Sequence, residues 1–180
     1  NQISEIKKCG KDPVYLMNKY LKVQHPMKVL LRFNTFDFQD DCVKDFNDHR
    51  FNIILKSRQL GLSTLVAAYS VWQAIFYKEK SILIIATKLA VAQNFIRKVK
   101  TYIKSMPKWL LVPVITANNK QQVEFSNGSQ IKAVPTSEDA GRSEALSLLI
   151  VDEAAFVRNF DDLWMGLYPT LSTGGRAIIL

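Results

Sequence analysis

The spacing of apolar positions changes along the chain, and each change marks a different kind of element. Residues 1–50 are polar and irregular, punctuated by Pro13 and Pro26, and predict two short helices over 14–22 and 39–47. They read as an N-terminal helical segment leading into a core, with no separate core of their own. From Phe51 the run Phe51-Asn52-Ile53-Ile54-Leu55 predicts a strand. A turn-like stretch follows, and Leu65, Tyr69, Trp72 and Phe76 then recur at the period of one helix face. The unit repeats: Ser81-Ile82-Leu83-Ile84-Ile85-Ala86 is rich in β-branched residues, and Ala92, Ile96, Val99 and Ile103 mark the next helix. Strands alternating with helices imply a parallel sheet. Residues 123–125 and 130–134 flank Ser126-Asn127-Gly128-Ser129, where Asn-Gly supplies the positive φ angles of a tight turn, so a β-hairpin is inserted in the pattern. Residues 146–151 form an unbroken apolar run of the kind buried on both faces, and a helix near 161–167 and a strand over 177–180 follow. The predicted class is α/β, with a mostly parallel central sheet flanked by helices and a core over 51–180. The final strand ends the chain, so further sequence is expected beyond it.

Composition narrows the class. With 180 residues, 48% of them hydrophobic and 22% charged, the chain can bury a full core without disulfide or metal staples, which excludes disorder, collagen and mini-protein scaffolds. No apolar run approaches the ~20 residues that span a bilayer, and the start at Asn1 is neither an initiator Met nor a signal peptide. A soluble chain with no membrane partner is expected. Cys9 and Cys42 are too sparse for a disulfide framework and lack zinc spacing, so they read as reduced, intracellular thiols; His25 and His49 stand apart from any metal-ligand pattern. The net charge of +8 favours a polyanionic partner and equally serves solubility.

Two motifs carry chemistry. The turn after the first core strand is Lys56-Ser57-Arg58-Gln59-Leu60-Gly61-Leu62-Ser63-Thr64. Against the phosphate-loop pattern G-x-x-x-x-G-K-[ST] it keeps Gly61 and Ser63 but has Lys56 at the first Gly and Leu62 at the Lys. A glycine at a strand-to-helix turn still aims backbone N–H groups and a helix N-terminus at a phosphate, a hydroxyl follows at the Mg²⁺ position, and Lys56 can return the missing cation from the front of the loop. The same residues fit a structural βα turn. In Leu148-Leu149-Ile150-Val151-Asp152-Glu153 a buried strand ends in two carboxylates, the first suited to a Mg²⁺ shell and the second to a hydrolytic water; a helix N-cap also fits. Both motifs lie at the carboxyl ends of parallel strands, where such sheets bind ligands, and together they describe a P-loop NTPase.

These two motifs resemble those of the N-terminal ATPase domain of the large terminase subunit, the DNA-packaging motor of tailed double-stranded DNA phages, and the resemblance runs from about Phe36 to the C-terminus. Some members carry the phosphate-loop lysine at the front of the motif, and Lys56 with Leu62 looks like that deviant Walker A. The resemblance implies ATP and Mg²⁺ as ligands, with Lys56 on the β/γ-phosphates, Ser63 on Mg²⁺ (Thr64 if the register shifts by one), Asp152 in the Mg²⁺ shell and Glu153, ending the Walker B strand, on the water. Ser57, Arg58, Gln59, Gly61 and Leu62 complete the phosphate loop. Gln39 is the adenine-reading candidate and Phe38 its neighbour, although an exposed helix Gln fits as well. Arg58 acting in cis and Arg142 reaching a neighbouring subunit are the two candidates for charge on the γ-phosphoryl group, and each also fits a surface salt bridge. Tyr168 to Arg176 resembles the stretch before the family's coupling motif, and nothing here corresponds to the family's nuclease domain. The implied partners are double-stranded DNA, further copies in a ring, the portal and the small terminase subunit, in the host cytoplasm at the capsid portal. Lys88, Arg97, Lys98, Lys100, Lys104 and Lys108 read as a solvated helix face, with a DNA-tracking surface as the alternative. A helicase-type motor and a non-hydrolysing docking module remain open.

Overall fold

The computed structural model describes residues 1–25, 27–136 and 145–180. The N-terminal fifty residues form three helices and a ribbon: α1 (Gln2–Lys11), α2 (Pro13–Tyr20), the antiparallel pair β1 (Lys22–His25) and β2 (Lys28–Arg32), and α3 (Asp37–Asp48). α2 and α3 are the expected helices, whereas α1 and the ribbon are additions. The caps explain the start: Asn1 accepts from the Ile3 N–H, Asp12 accepts from the Tyr15 N–H, and Pro13 occupies the first turn of α2. Glu5 ties the two helices together, because Oε1 accepts from Lys19 Nζ (2.6 Å), Tyr15 OH (2.7 Å) and Tyr20 OH (2.8 Å). The Lys19 ammonium, then the two phenols, hold the Glu5 carboxyl well below the usual carboxylate range, at about 2. This segment shares the main core: Leu16, Met17, Leu21, Phe33, Val43 and Phe46 are buried in it.

The rest is a layered α/β arrangement. Strands β3 (Phe51–Ile53), β4 (Ser81–Ala86), β5 (Ile115–Asn118), β6 (Gln122–Phe125), β7 (Gln130–Pro135), β8 (Leu148–Val151) and β9 (Arg176–Ile179) form one sheet in the order β3-β9-β8-β4-β7-β6-β5. The five strands from β3 to β7 are parallel, and β6 and β5 add antiparallel at one edge. Side-chain alternation splits the core into two layers. Ile82, Ile84, Leu148 and Ile150 face α4 (Leu62–Phe76) and α5 (Leu89–Ser105), while Leu83, Ile85, Leu149 and Val151 face the side of α6 (Phe160–Leu167). α4 is apolar nearly all round and correspondingly buried, with Trp72 Nε1 donating to the Cys9 carbonyl and Tyr69 OH to Asn47 Oδ1.

The expected hairpin is β6–β7, with a different turn mechanism. Only Gly128 takes positive φ (81°); Asn127 instead donates Nδ2 to the Ala74 and Tyr77 carbonyls, covering the end of α4. The unforeseen β5 pairs with β6, so the hairpin extends the sheet edge. At the opposite edge β3 pairs only with β9 among the described residues, and Phe51, Ile53 and Leu55 are exposed.

Two arginines lock the β3 end. Arg50 donates Nε to the Gly175 carbonyl and an Nη to that of Leu171. α3 has no basic residue in its last turn, and Arg176 Nη1 supplies the positive charge there, donating to the carbonyls of Phe46, Asn47 and His49 at 2.8–3.1 Å. Arg176→Ala is expected to lower the stability of the chain by about 1.5 kcal/mol, since hydrogen bonds to a half-buried cation are worth more than neutral ones. Urea unfolding checks this, and an unchanged midpoint would refute the cap.

Candidate active site

The loops that follow β3, β4, β7 and β8 meet at one end of the sheet, because those strands are parallel and end together. The loop after β3 holds two left-handed residues, Gln59 (φ 65°) and Gly61 (φ 71°), and Gly61 is the residue before the first turn of α4. Glycine is needed at 61 for a second reason: a Cβ there would lie 3.0 Å from Gln39 Nε2. Gln39 is buried, accepting from the Phe36 N–H (3.2 Å) and donating to the Leu60 carbonyl (2.9 Å). Its amide braces the loop through one bond at each end, which leaves one N–H and one oxygen lone pair for other contacts. Phe38, expected beside it, is exposed and stacked on Phe36 with centroids 5.8 Å apart.

Three of the expected side chains converge. Ser63 Oγ donates to Asp152 Oδ1 at 2.9 Å, and Lys56 Nζ lies 3.9 Å from the same oxygen. Asp152 is 5% exposed, held where the fully buried β8 ends, its N–H donating to the Ile85 carbonyl. Ser63 rather than Thr64 makes the carboxylate bond; the Thr64 carbonyl accepts from Tyr102 OH. Leu62, where the usual pattern has lysine, is buried in the core, so a cation at that position would point into apolar packing. Ser57 and Gln59 are exposed. A serine hydroxyl and one carboxylate oxygen are hard donors of the kind Mg²⁺ takes alongside phosphate oxygens and water.

Glu153, like Gln59, is left-handed without being glycine. It adopts φ 57° and ψ 42°, a left-handed conformation that costs a non-glycine residue on the order of 1 kcal/mol. Thr87 Oγ1, just past β4, donates to Glu153 Oε2 at 3.2 Å, and the Ala154 N–H donates to the Leu180 carbonyl, fixing the turn. Glu153 lines two cavities. One, of about 390 Å³, is shared with Ser63, Thr64, Asn94, Lys98 and Asp152. The other, of about 680 Å³, is bordered by Arg58, Thr87, Lys88, Phe156 and Arg158. Arg58 reaches over the Phe156 ring, 5.7 Å from its centroid. Arg142 lies outside the described residues.

Thr87 and Arg158 were not singled out by sequence reasoning, and Lys98 was placed on a solvated face. Thr87 carried a signal, a polar side chain directly after a buried strand at the same sheet end; Arg158 carried none. Lys100 donates to the Asn119 carbonyl, Lys104 and Lys108 are exposed as expected, and Arg97, though exposed, also lines the 390 Å³ cavity.

The sequence from 53 to 177 matches the family model described as terminase large subunit, T4likevirus-type, N-terminal. The fold is similar to the crystal structure of the HK97 bacteriophage large terminase (TM-score 0.74, 17% identity, covering 94% of this chain and 36% of that one). It is also similar to the ATPase domain of a Thermus phage large terminase (TM-score 0.65, 18% identity, 82% of this chain and 64% of that one). A third similar structure is the large terminase of a thermophilic bacteriophage in complex with ADP (TM-score 0.57, 14% identity, 75% and 34%). The chain thus spans between about a third and two thirds of the length of these structures.

Proposed function

The chain belongs to the family of large terminase subunits, T4likevirus-type, N-terminal, and on that premise we propose that it is the P-loop ATPase part of a motor that drives double-stranded viral DNA into a capsid. The observation that carries this reading is the Ser63–Asp152 hydrogen bond with Lys56 Nζ 3.9 Å from the same carboxylate, at the mouth of a left-handed loop that opens α4. Residues 51–180 are the catalytic core in this reading, and 1–50 the segment that braces the loop through Gln39. Ser63 and Asp152 would hold Mg²⁺, which when bound neutralises charge on the β- and γ-phosphate oxygens.

The chain's own residues do the remainder. Lys56 binds phosphate oxygens from the front of the loop, and backbone N–H groups around Gln59 and Gly61 receive the others. Glu153, oriented by Thr87, accepts a hydrogen bond from a water and aims it along the line of attack. Arg58 borders the Glu153 side of the site and can meet charge that builds on the γ-phosphoryl oxygens. Arg142 is the candidate for a subunit-to-subunit contact in a ring. Exposed Phe36 and Phe38 offer an apolar platform for the adenine. Work on DNA follows when such domains close in turn, with the portal and small terminase subunit as the proposed partners in the host cytoplasm.

Binding of a fluorescent ATP analogue with and without Mg²⁺ tests the reading. Wild type is expected to bind roughly tenfold more tightly with Mg²⁺, and Asp152→Asn, which keeps shape and removes charge, is expected to abolish that gain. Wild-type binding that ignores Mg²⁺, or no binding at all, would sink the assignment and leave a docking module.

A further inference from the structure

Lys98 does not sit on the solvated face of α5. Asn94, Lys98 and Thr101 follow one another at helical spacing, and all three line the 390 Å³ cavity together with Ser63, Asp152 and Glu153. Lys98 is half-buried there. Among the described residues it makes no hydrogen bond and no ion pair, while Lys100, two positions on, is bound to the Asn119 carbonyl. Burial pushes the Lys98 ammonium below the ordinary lysine range, opposed by attraction to Asp152, whose carboxylate already bonds Ser63 and faces Lys56. A half-buried cation with no carboxylate within ion-pair distance is costly unless a nearer anion completes it. With Leu62 turned into the core, the loop itself provides one lysine where the cavity wall provides a second.

We propose that Lys98 binds the terminal phosphoryl group of the nucleotide from the α5 wall, so that the site selects triphosphate over diphosphate. This rests on the nucleotide reading above. Lys56, on the loop, serves both nucleotides; Lys98, on a different element and lining the cavity with Glu153, serves the charge that only the triphosphate has.

The test is the affinity of this chain, with Mg²⁺ present, for a non-hydrolysable triphosphate analogue and for ADP. Wild type, Lys98→Met, Lys98→Gln, Lys98→Arg and the exposed-site control Lys104→Met are compared. Lys98→Met is expected to weaken the triphosphate analogue by about 10- to 100-fold, the range for a charge-assisted hydrogen bond, with ADP within about twofold and Lys98→Arg restoring much of the difference. Lys104→Met should match wild type. Equal losses for both ligands, or no loss in a variant that melts cooperatively, would overturn the proposal while leaving the nucleotide reading intact. Wild type that binds neither ligand would overturn both. Lys98→Gln keeps the measurement decisive should the Met variant fold poorly.

Discussion

Lys56→Ala is expected to weaken Mg²⁺-dependent ATP binding by roughly 100-fold, about 3 kcal/mol, with the fold intact. The reason is geometric. Lys56 is half-buried, and its ammonium stands 3.9 Å from the one carboxylate that also receives the Ser63 hydroxyl. No other loop residue can replace it: Leu62 points into the core, and Arg58 is laid over the Phe156 ring on the far side of Glu153. Circular dichroism should be unchanged, because Lys56 stands outside the apolar core and Asp152 keeps its Ser63 hydrogen bond. Calorimetric titration of both proteins with ATP is the measurement. Affinity equal to wild type would move the cation's role to Arg58 and remove the front-of-loop assignment.

Gly175→Ala is expected to destabilise the chain by about 3 kcal/mol or more, the largest stability effect foreseen. A Cβ at 175 would drive into the carbonyl oxygen of Leu146 and lie 2.9 Å from a Leu171 methyl and 3.1 Å from the Leu171 Cα. Two of these three obstacles are backbone, so no rotamer change relieves them. Space could be made only by parting the turn before β9 from the residues before β8, where the Leu146 N–H donates to the Thr170 carbonyl and the Arg176 N–H to that of Ser147. Arg50 would lose its grip on the Gly175 and Leu171 carbonyls in the same movement. Overpacking of this kind is at the upper end of measured costs. A thermal melt suffices, and an unshifted midpoint would show that the turn yields freely.

How much of this was legible in the sequence differs by element. β4, β8, α4 and α5 announced themselves because their apolar periods match the faces they bury, and the Ser63–Asp152 pairing followed from two motifs at the ends of parallel strands. α1 was hidden because its apolar positions form one thin stripe, of which only Cys9 is fully buried. The β1–β2 ribbon was hidden because Val29 and Leu30 are exposed, so its apolar content, Val23 aside, records little core. Asn127 misled in detail: its side chain bonds α4 carbonyls, and Gly128 alone supplies the turn's positive φ. Lys98 misled most. In a chain of charges on one helix nothing marks the member that turns inward, since the walls of the cavity opposite α5 are built by residues more than thirty positions away on both sides.

β3 is three residues long and, among the described residues, held by a single neighbouring strand, and Lys56 follows three residues after its end. Edge strands of this length open locally at low free-energy cost, well below that of global unfolding. Such an opening would carry Lys56 away from Asp152 while β8 and α4 stayed folded. On the proposed nucleotide reading, the apparent affinity would be the intrinsic one scaled by the assembled fraction. Any strand that paired with the outer side of β3 would then raise that fraction and tighten binding without touching the nucleotide, which would make the rim of the sheet a control point for the proposed site.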